Sequence, residues 1–317
     1  MNIDQNQIDV LLQKYDELYA LNPELYDLFK QNVDFMDEKI PTAIPFQQNQ
    51  RHYSQATSIA RHLQRKGFFE NQTTILEAGS GTGQLGLTIA CLLTPNLQVY
   101  ADELARVNSS STKKNTIPQN IRPKSSMYLV DLKQGLKYKN DRYFCFTDFH
   151  AVRLIGNLIG VNRQTIQTHN VKREQNQTLN IDSLINEQTV LINKLTVVGK
   201  HLCGAATDIV LVYEGVDQFG IALCCHAKCD AQLYVNKEYL HGMDMQFMFK
   251  LTSYQHCYGK QELNAEQTLR KELGFKARQM LDVGRILYLK SKGYTVGLVK
   301  YCSDEESGEA WLLWAKK

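Results

Sequence analysis

Apolar positions recur at helical spacing near the start of the chain. Ile8, Leu11, Leu12, Tyr15, Leu18 and Tyr19 predict a helix over 3–21, broken at Asn22-Pro23 and followed by a second helix over 24–36. Pro41 and Pro45 mark a linker, and a further helix is predicted over about 55–66, stopped by Gly67. Beyond it the pattern changes. Short β-favouring runs at 74–78, 143–147, 195–198, 220–224, 295–301 and 311–315, with weaker pieces at 97–101 and 127–130, alternate with helical stretches at 84–93, 206–213, 265–273 and 278–292. Residues 160–180 are polar and rich in glutamine and asparagine, and they read as loop. The alternation predicts an α/β fold, with a doubly wound sheet of seven strands ending in an antiparallel hairpin.

Three apolar runs end abruptly in residues that can do chemistry. They are Ile75–Gly83 (ILEAGSGTG), Val197–Asp208 (VVGKHLCGAATD) and Gly220–Cys229 (GIALCCHAKC). Open α/β sheets bind ligands at the carboxyl ends of their strands, so these ends are the candidate site. In the first run, Glu77 precedes Gly79, Gly81 and Gly83 between a strand and a helix. Glycine serves there because the turn needs positive φ and close approach of backbone to ligand. The spacing is tighter than the dinucleotide fingerprint and lacks the phosphate-loop lysine. An acid two residues before the first glycine suits a cationic ligand, and S-adenosyl-L-methionine fits. Its ribose calls for an acid after the second strand, with Asp102 or Asp148 as candidates. Its adenine calls for another, with Asp182 ahead of Asp131.

Composition narrows the class. The chain has 317 residues, 43% of them hydrophobic, and 22% charged, which supports a real core. Net charge is only +3, but it is unevenly spread. Residues 1–40 carry nine acids against three bases (3 − 9 = −6), and residues 106–142 carry nine bases against two acids (9 − 2 = +7). The basic stretch suits a polyanion, and the acidic helices suit a packing role or a protein partner. No signal peptide or membrane-spanning run is read. The eight cysteines sit mostly in strand-like runs and suit a reducing cytoplasmic or nuclear setting.

The runs GKHLCGAATD, IALCCHAKCD with YVNKEYL, and LTSYQHCYG, together with QATSI, ILEAGSGTG and GFKARQMLDVGRILYLKSKGY, resemble the eukaryotic tRNA 2′-O-methyltransferase family that modifies the fourth nucleotide of the acceptor stem. The resemblance runs from about His52 to the C-terminus. It implies a class I Rossmann-like methyltransferase with a seven-stranded sheet, S-adenosyl-L-methionine as cofactor, and tRNA as partner. The domain layout it implies is an acidic helical region and linker at 1–45, then a methyltransferase domain at 46–317 with a basic insertion at about 94–142. The family's acid-to-arginine spacing after its second strand is matched by Asp148 and Arg153, favouring Asp148 over Asp102. A further family run favours Asp182. An acidic helical hairpin stands where the family usually has zinc fingers, and Thr82 replaces its basic residue in the glycine loop.

Methylating a ribose hydroxyl needs a base or a cation at that oxygen. Lys200 and His201, ending the fourth strand, are the expected catalytic pair, with His226 lining the pocket. Thr207 or Asp208 is expected to cap the following helix, and Arg285 to meet an RNA phosphate or an acid. Cys225-His226-x-x-Cys229 has the composition of a metal site but not the usual spacing, and no metal is expected. Two other functions compete: an RNA cytosine-C5 methyltransferase using Cys203 or Cys225, and a catalytically weak methyltransferase-like RNA-binding subunit.

Overall fold

The computed structural model describes residues 4–36, 50–69, 73–79, 83–93, 126–131, 149–154, 165–169, 176–180, 194–255, 262–304, 306–308 and 310–317. The chain divides into two compact units. One comprises Met1–Phe35, His201–Glu214 and Ile221–Lys317, and the other Met36–Lys200 and Gly215–Gly220.

The Met36–Lys200 unit holds an open, mixed α/β sheet. Its strands are β1 (Thr73–Ala78), β2 (Ser126–Asp131), β3 (Phe149–Leu154), β4 (Thr165–His169), β5 (Asn176–Asn180) and β6, which runs from Lys194 to Cys203. Their order is β5-β4-β3-β2-β1-β6. β1 is parallel to β2 and to β6, and β2 is parallel to β3. β3–β4 and β4–β5 are antiparallel. Both neighbours of β1 run alongside it, so β1 and β6 read as apolar runs: Ile75, Leu195, Val197 and Val198 are all buried. Helix α3 (Gln50–Arg65) presents Ala56, Ile59, Ala60 and Leu63 on one face, each fully buried, and lies against α4 (Gln84–Leu93).

One expectation changes here. Residues 160–180 are not simply loop, because the alternating runs TIQTH and NQTLN form the β4–β5 hairpin. Backbone pairing satisfies that hairpin even though its side chains are mostly polar. The strand beside β1 is β2, which lies inside the stretch read as an insertion. The strand expected at 143–147 lies outside the described residues.

In the other unit, α1 (Gln5–Leu21) begins at Asp4, whose side chain accepts from Asn6 N–H. It buries Ile8, Leu11, Tyr15 and Leu18. Tyr15 Oη donates to Gln279 Oε1 at 2.8 Å, tying α1 to a long helix further on. Pro23 starts α2 (Pro23–Asp27), shorter than the helix expected over 24–36. Then come α5 (Ala205–Leu211), β7 (Gln218–Cys224), α6 (Met245–Thr252), α7 (Ala265–Ser291), β8 (Thr295–Lys300) and β9 (Trp311–Lys316). α7 is one helix of 27 residues, not two, and opens with a reciprocal Asn264–Gln267 capping box. Gly274 does not break it. Burial around the residues that follow outweighs a cost of about 1 kcal/mol for an interior glycine. β8 and β9 pair antiparallel, as expected. No helix among the described residues is long and apolar enough to cross a membrane.

Candidate functional site

β1 ends at Ala78 and the chain turns at once. Gly79 has φ 61° and Gly83 has φ 71°, values that glycine adopts at little cost. Glu77 is 2% exposed, and its Oε2 accepts from Gly86 N–H of α4 at 2.8 Å. The acid therefore braces strand to helix at the turn. Gln84 opens α4. It is buried, and its Nε2 has no hydrogen-bond partner among the described residues. A buried donor without a partner is costly, so the turn has unused capacity to hold a ligand. Gly81, Asp102, Asp148 and Asp182 lie outside the described residues.

The strand paired with β1 is β2, and it ends in Asp131. Asp148 immediately precedes β3 instead of following the strand next to β1. Asp131 is thus an acid at the carboxyl end of a strand beside β1.

Lys200 lies on β6, is 8% exposed, and donates from Nζ to the backbone oxygen of His52 at 3.1 Å. His201 follows it on the same strand, and its side chain lies outside what is described.

At the carboxyl ends of β6 and β7, in the other unit, lies a buried ionic cluster. Asp208 is on α5, but it is not a cap. Gly204 holds the cap position, and Thr207 Oγ1 donates to Leu202 O at 2.6 Å. Asp208 instead takes a two-pronged pair from Arg285, with Nε to Oδ1 at 3.0 Å and Nη2 to Oδ2 at 2.7 Å. Arg285 Nη1 reaches Asp282 Oδ1 at 3.0 Å, and Arg278 Nε reaches Asp282 Oδ2 at 3.5 Å. His226 Nε2 is 2.7 Å from Asp282 Oδ1. These five side chains are at most 2% exposed. The two carboxylates balance the two guanidinium groups. Burial opposes ionisation of Asp282, but His226, Arg285 and Arg278 outweigh it and hold the carboxyl at about 2. Burial likewise pulls Arg285 down, and Asp208 foremost holds it well above its ordinary value. Arg285 therefore pairs with acids, the second of the two partners expected for it.

The Cys-His-x-x-Cys run does not converge on one point. His226 faces Asp282, and Cys229 Sγ accepts from Arg285 Nη2 at 3.2 Å. Burial pushes the Cys229 thiol up to about 11. Asp282 was missed in the sequence. Its signal was the i, i+4, i+7 spacing of Arg278, Asp282 and Arg285 on one face of an otherwise apolar helix. An imidazole held by a buried carboxylate has a fixed ring orientation, which suits proton handling or hydrogen bonding to a hydroxyl.

Comparison with known proteins was made on this frame. The family model described as Methyltransferase TRM13 matches residues 54–316. A protein of Kluyveromyces lactis named tRNA:m(4)X modification enzyme TRM13 is 23% identical over 294 residues, covering 80% of this chain and 60% of its own. Proteins of the same name from Scheffersomyces stipitis and Debaryomyces hansenii are 31% and 24% identical. They cover 40% and 75% of this chain, and 38% and 52% of their own lengths. The chain thus spans about 60% or less of the length of these relatives. No solved structure matches it.

Proposed function

Since the chain belongs to the TRM13 methyltransferase family, we propose that it methylates the ribose 2′-hydroxyl of the fourth nucleotide of a tRNA acceptor stem, using S-adenosyl-L-methionine. The observation that carries this reading is the family match across residues 54–316, joined to a glycine turn that fits a cationic nucleoside cofactor. The relatives' shared name, tRNA:m(4)X modification enzyme, supports the substrate. The parallel order β3-β2-β1-β6 and the antiparallel β8–β9 pair support a class I Rossmann-like sheet. Residues 46–317 would form the methyltransferase domain, and the exposed acids between Asp4 and Asp34 would face a protein partner. The basic residues of 106–142 suit the tRNA backbone. Thiols in place of disulfides at all six described cysteines suit a reducing compartment, cytoplasm or nucleus.

The fit of the cofactor rests on the turn itself. Gly79, Gly81 and Gly83 would let it approach the backbone, and Glu77 would place negative charge beside its cationic end. Gln84 would supply an amide donor, Asp131 would take the ribose in place of Asp148, and Asp182 would take the adenine. The cofactor supplies an electrophilic methyl carried on a sulfonium. The protein's part is to deprotonate or stabilise the hydroxyl as it attacks. Lys200 and His201 serve there, as base or as cationic support, while Asp282 fixes the ring of His226.

The test is transfer of labelled methyl from S-adenosyl-L-methionine to tRNA, followed by nuclease mapping. The expected product is a 2′-O-methyl ribose at position four. Lys200→Met should lower turnover by about 10²–10⁴ with cofactor affinity near wild type. Label on a base, or none with any tRNA, would overturn the reading.

A further inference from the structure

The methyl-transfer reading leaves three thiols unexplained. Cys203 ends β6, Cys224 ends β7, and Cys225 follows it. Their Sγ atoms all lie within 4.8 Å of one another, and this is the one such group of possible metal ligands among the described residues. It differs from the Cys225, His226 and Cys229 set that the sequence spacing suggests.

Local structure holds the thiols in place. Cys225 sits at φ 49° and ψ 46°, the only non-glycine residue with positive φ among those described. That conformation is unfavourable for a side chain with a Cβ, and cysteine has none of the local hydrogen bonding that lets asparagine or aspartate adopt it. It turns the chain so that two consecutive thiols join a third across two strand ends. Gly204 follows Cys203 at φ 56°. A Cβ there would lie 2.1 Å from the backbone carbon of Lys228 and 2.5 Å from Cys229 N. The chain leaving β6 is thus pressed against the chain leaving β7. Gly204 N–H also donates to Cys224 O at 3.5 Å. The three sulfurs are placed by backbone, not by flexible side chains. Cys203 and Cys225 are partly exposed and Cys224 is buried, so the cluster has an open side.

We propose that Cys203, Cys224 and Cys225 form a three-thiolate site for a single zinc-class cation, with a fourth position open on the exposed side. Thiolates select soft and borderline cations over magnesium or calcium. With a zinc–sulfur bond of about 2.3 Å, sulfurs sharing one ion stand about 3.8–4.0 Å apart. The Cys224–Cys203 separation is 3.9 Å, so little movement is needed. An ordinary thiol is mostly protonated at neutral pH. Cation binding replaces those protons and releases them to solvent. A disulfide is the competing use of the cluster. It would need two sulfurs at about 2.05 Å and would leave the third without a role. This proposal stands apart from the methyl-transfer reading, and its failure would not touch that reading.

The test uses the full chain, reduced and stripped with a chelator. Zn²⁺ is titrated against a chromophoric competitor, and Cd²⁺ is used to read sulfur-to-metal charge-transfer absorption. One equivalent is expected, with charge-transfer intensity for three thiolates. Cys203→Ser and Cys225→Ser should each weaken Zn²⁺ binding by more than about 100-fold, because even partners beyond the ligands are worth about 10–100-fold. Cys229→Ser should bind within a few-fold of wild type. Should a serine variant fail to fold, alkylation of the wild type decides the matter. Zn²⁺ should protect Cys203, Cys224 and Cys225 in the peptide map and leave Cys229 unchanged. Absence of uptake, uptake lost in Cys229→Ser but kept in Cys203→Ser, or a disulfide within the cluster of anaerobically prepared protein would each overturn the site.

Discussion

Around Arg285, two carboxylates and two guanidinium groups, none more than 1% exposed, are joined by side-chain bonds of 2.7–3.5 Å. At the turn after β1, Gln84 keeps a buried amide nitrogen with no partner among the described residues, directly after two glycines held at positive φ. The first region uses its polar groups on itself. The second keeps capacity in reserve. Charges spent on one another hold a geometry, here the orientation of His226, whereas unspent donors and open backbone take a ligand. Perturbed or buried charge alone would have marked the ionic cluster as the site. With its charges paired, the cluster suits a positioning role, and the proposed binding falls to the turn.

The sharpest break in this comparison comes from Arg285→Ala. It strands Asp208 and Asp282 in the interior, and removing one partner of a buried pair typically costs about 3–5 kcal/mol. Chemical denaturation should show a loss of that order, or no folded protein. A loss under about 1 kcal/mol would mean that the cluster does not hold the unit.

Acid should act on the same region. Asp282 lies at about 2 in the folded chain against an ordinary 3.8. A depressed folded value means that its contribution is fully present above about pH 4, and is lost as pH falls toward 2. Asp282→Asn should therefore be less stable than wild type at neutral pH, and the difference should shrink across that window. A constant difference from pH 7 to 2 would contradict the ionic account.

The smallest effect is expected at the turn. Gln84→Leu removes the unpartnered amide, so stability should hold or rise slightly. Affinity for S-adenosyl-L-methionine should fall about fivefold, equivalent to one hydrogen bond of about 1 kcal/mol. Lost stability with unchanged affinity would reverse the roles given to the two regions.

Much of this was legible from short-range pattern. The strand, acid, glycine and helix order of residues 74–93 appears in the structure with bounds shifted by a residue at most. The end of β7 also stands where its apolar run stops, whereas β6 runs five residues past Val198 to Cys203 and carries Lys200 and His201 within the strand. What escaped was set by long-range pairing. Asp208 and Arg285 are 77 residues apart, and only the folded chain turns a presumed helix cap into half of a buried pair. The β4–β5 hairpin escaped because its side chains are mostly polar and its cohesion lies in backbone bonds. Gly274 suggested a break in α7 because local propensity carries no knowledge of the burial that overrides it. The pairing of β1 with β2 could not be read locally, because strand order is set by long-range contacts.

Calorimetric titration of S-adenosyl-L-methionine into the wild-type chain and into Gly83→Val tests the division of labour most directly. Gly83 holds φ 71°, where a β-branched residue is strained and crowds the turn. The account predicts one saturable site in the wild type, and at least about a tenfold loss of affinity, or 1.4 kcal/mol, in a variant that keeps its circular dichroism spectrum. Equal affinity in the two proteins, with the fold intact, would contradict it.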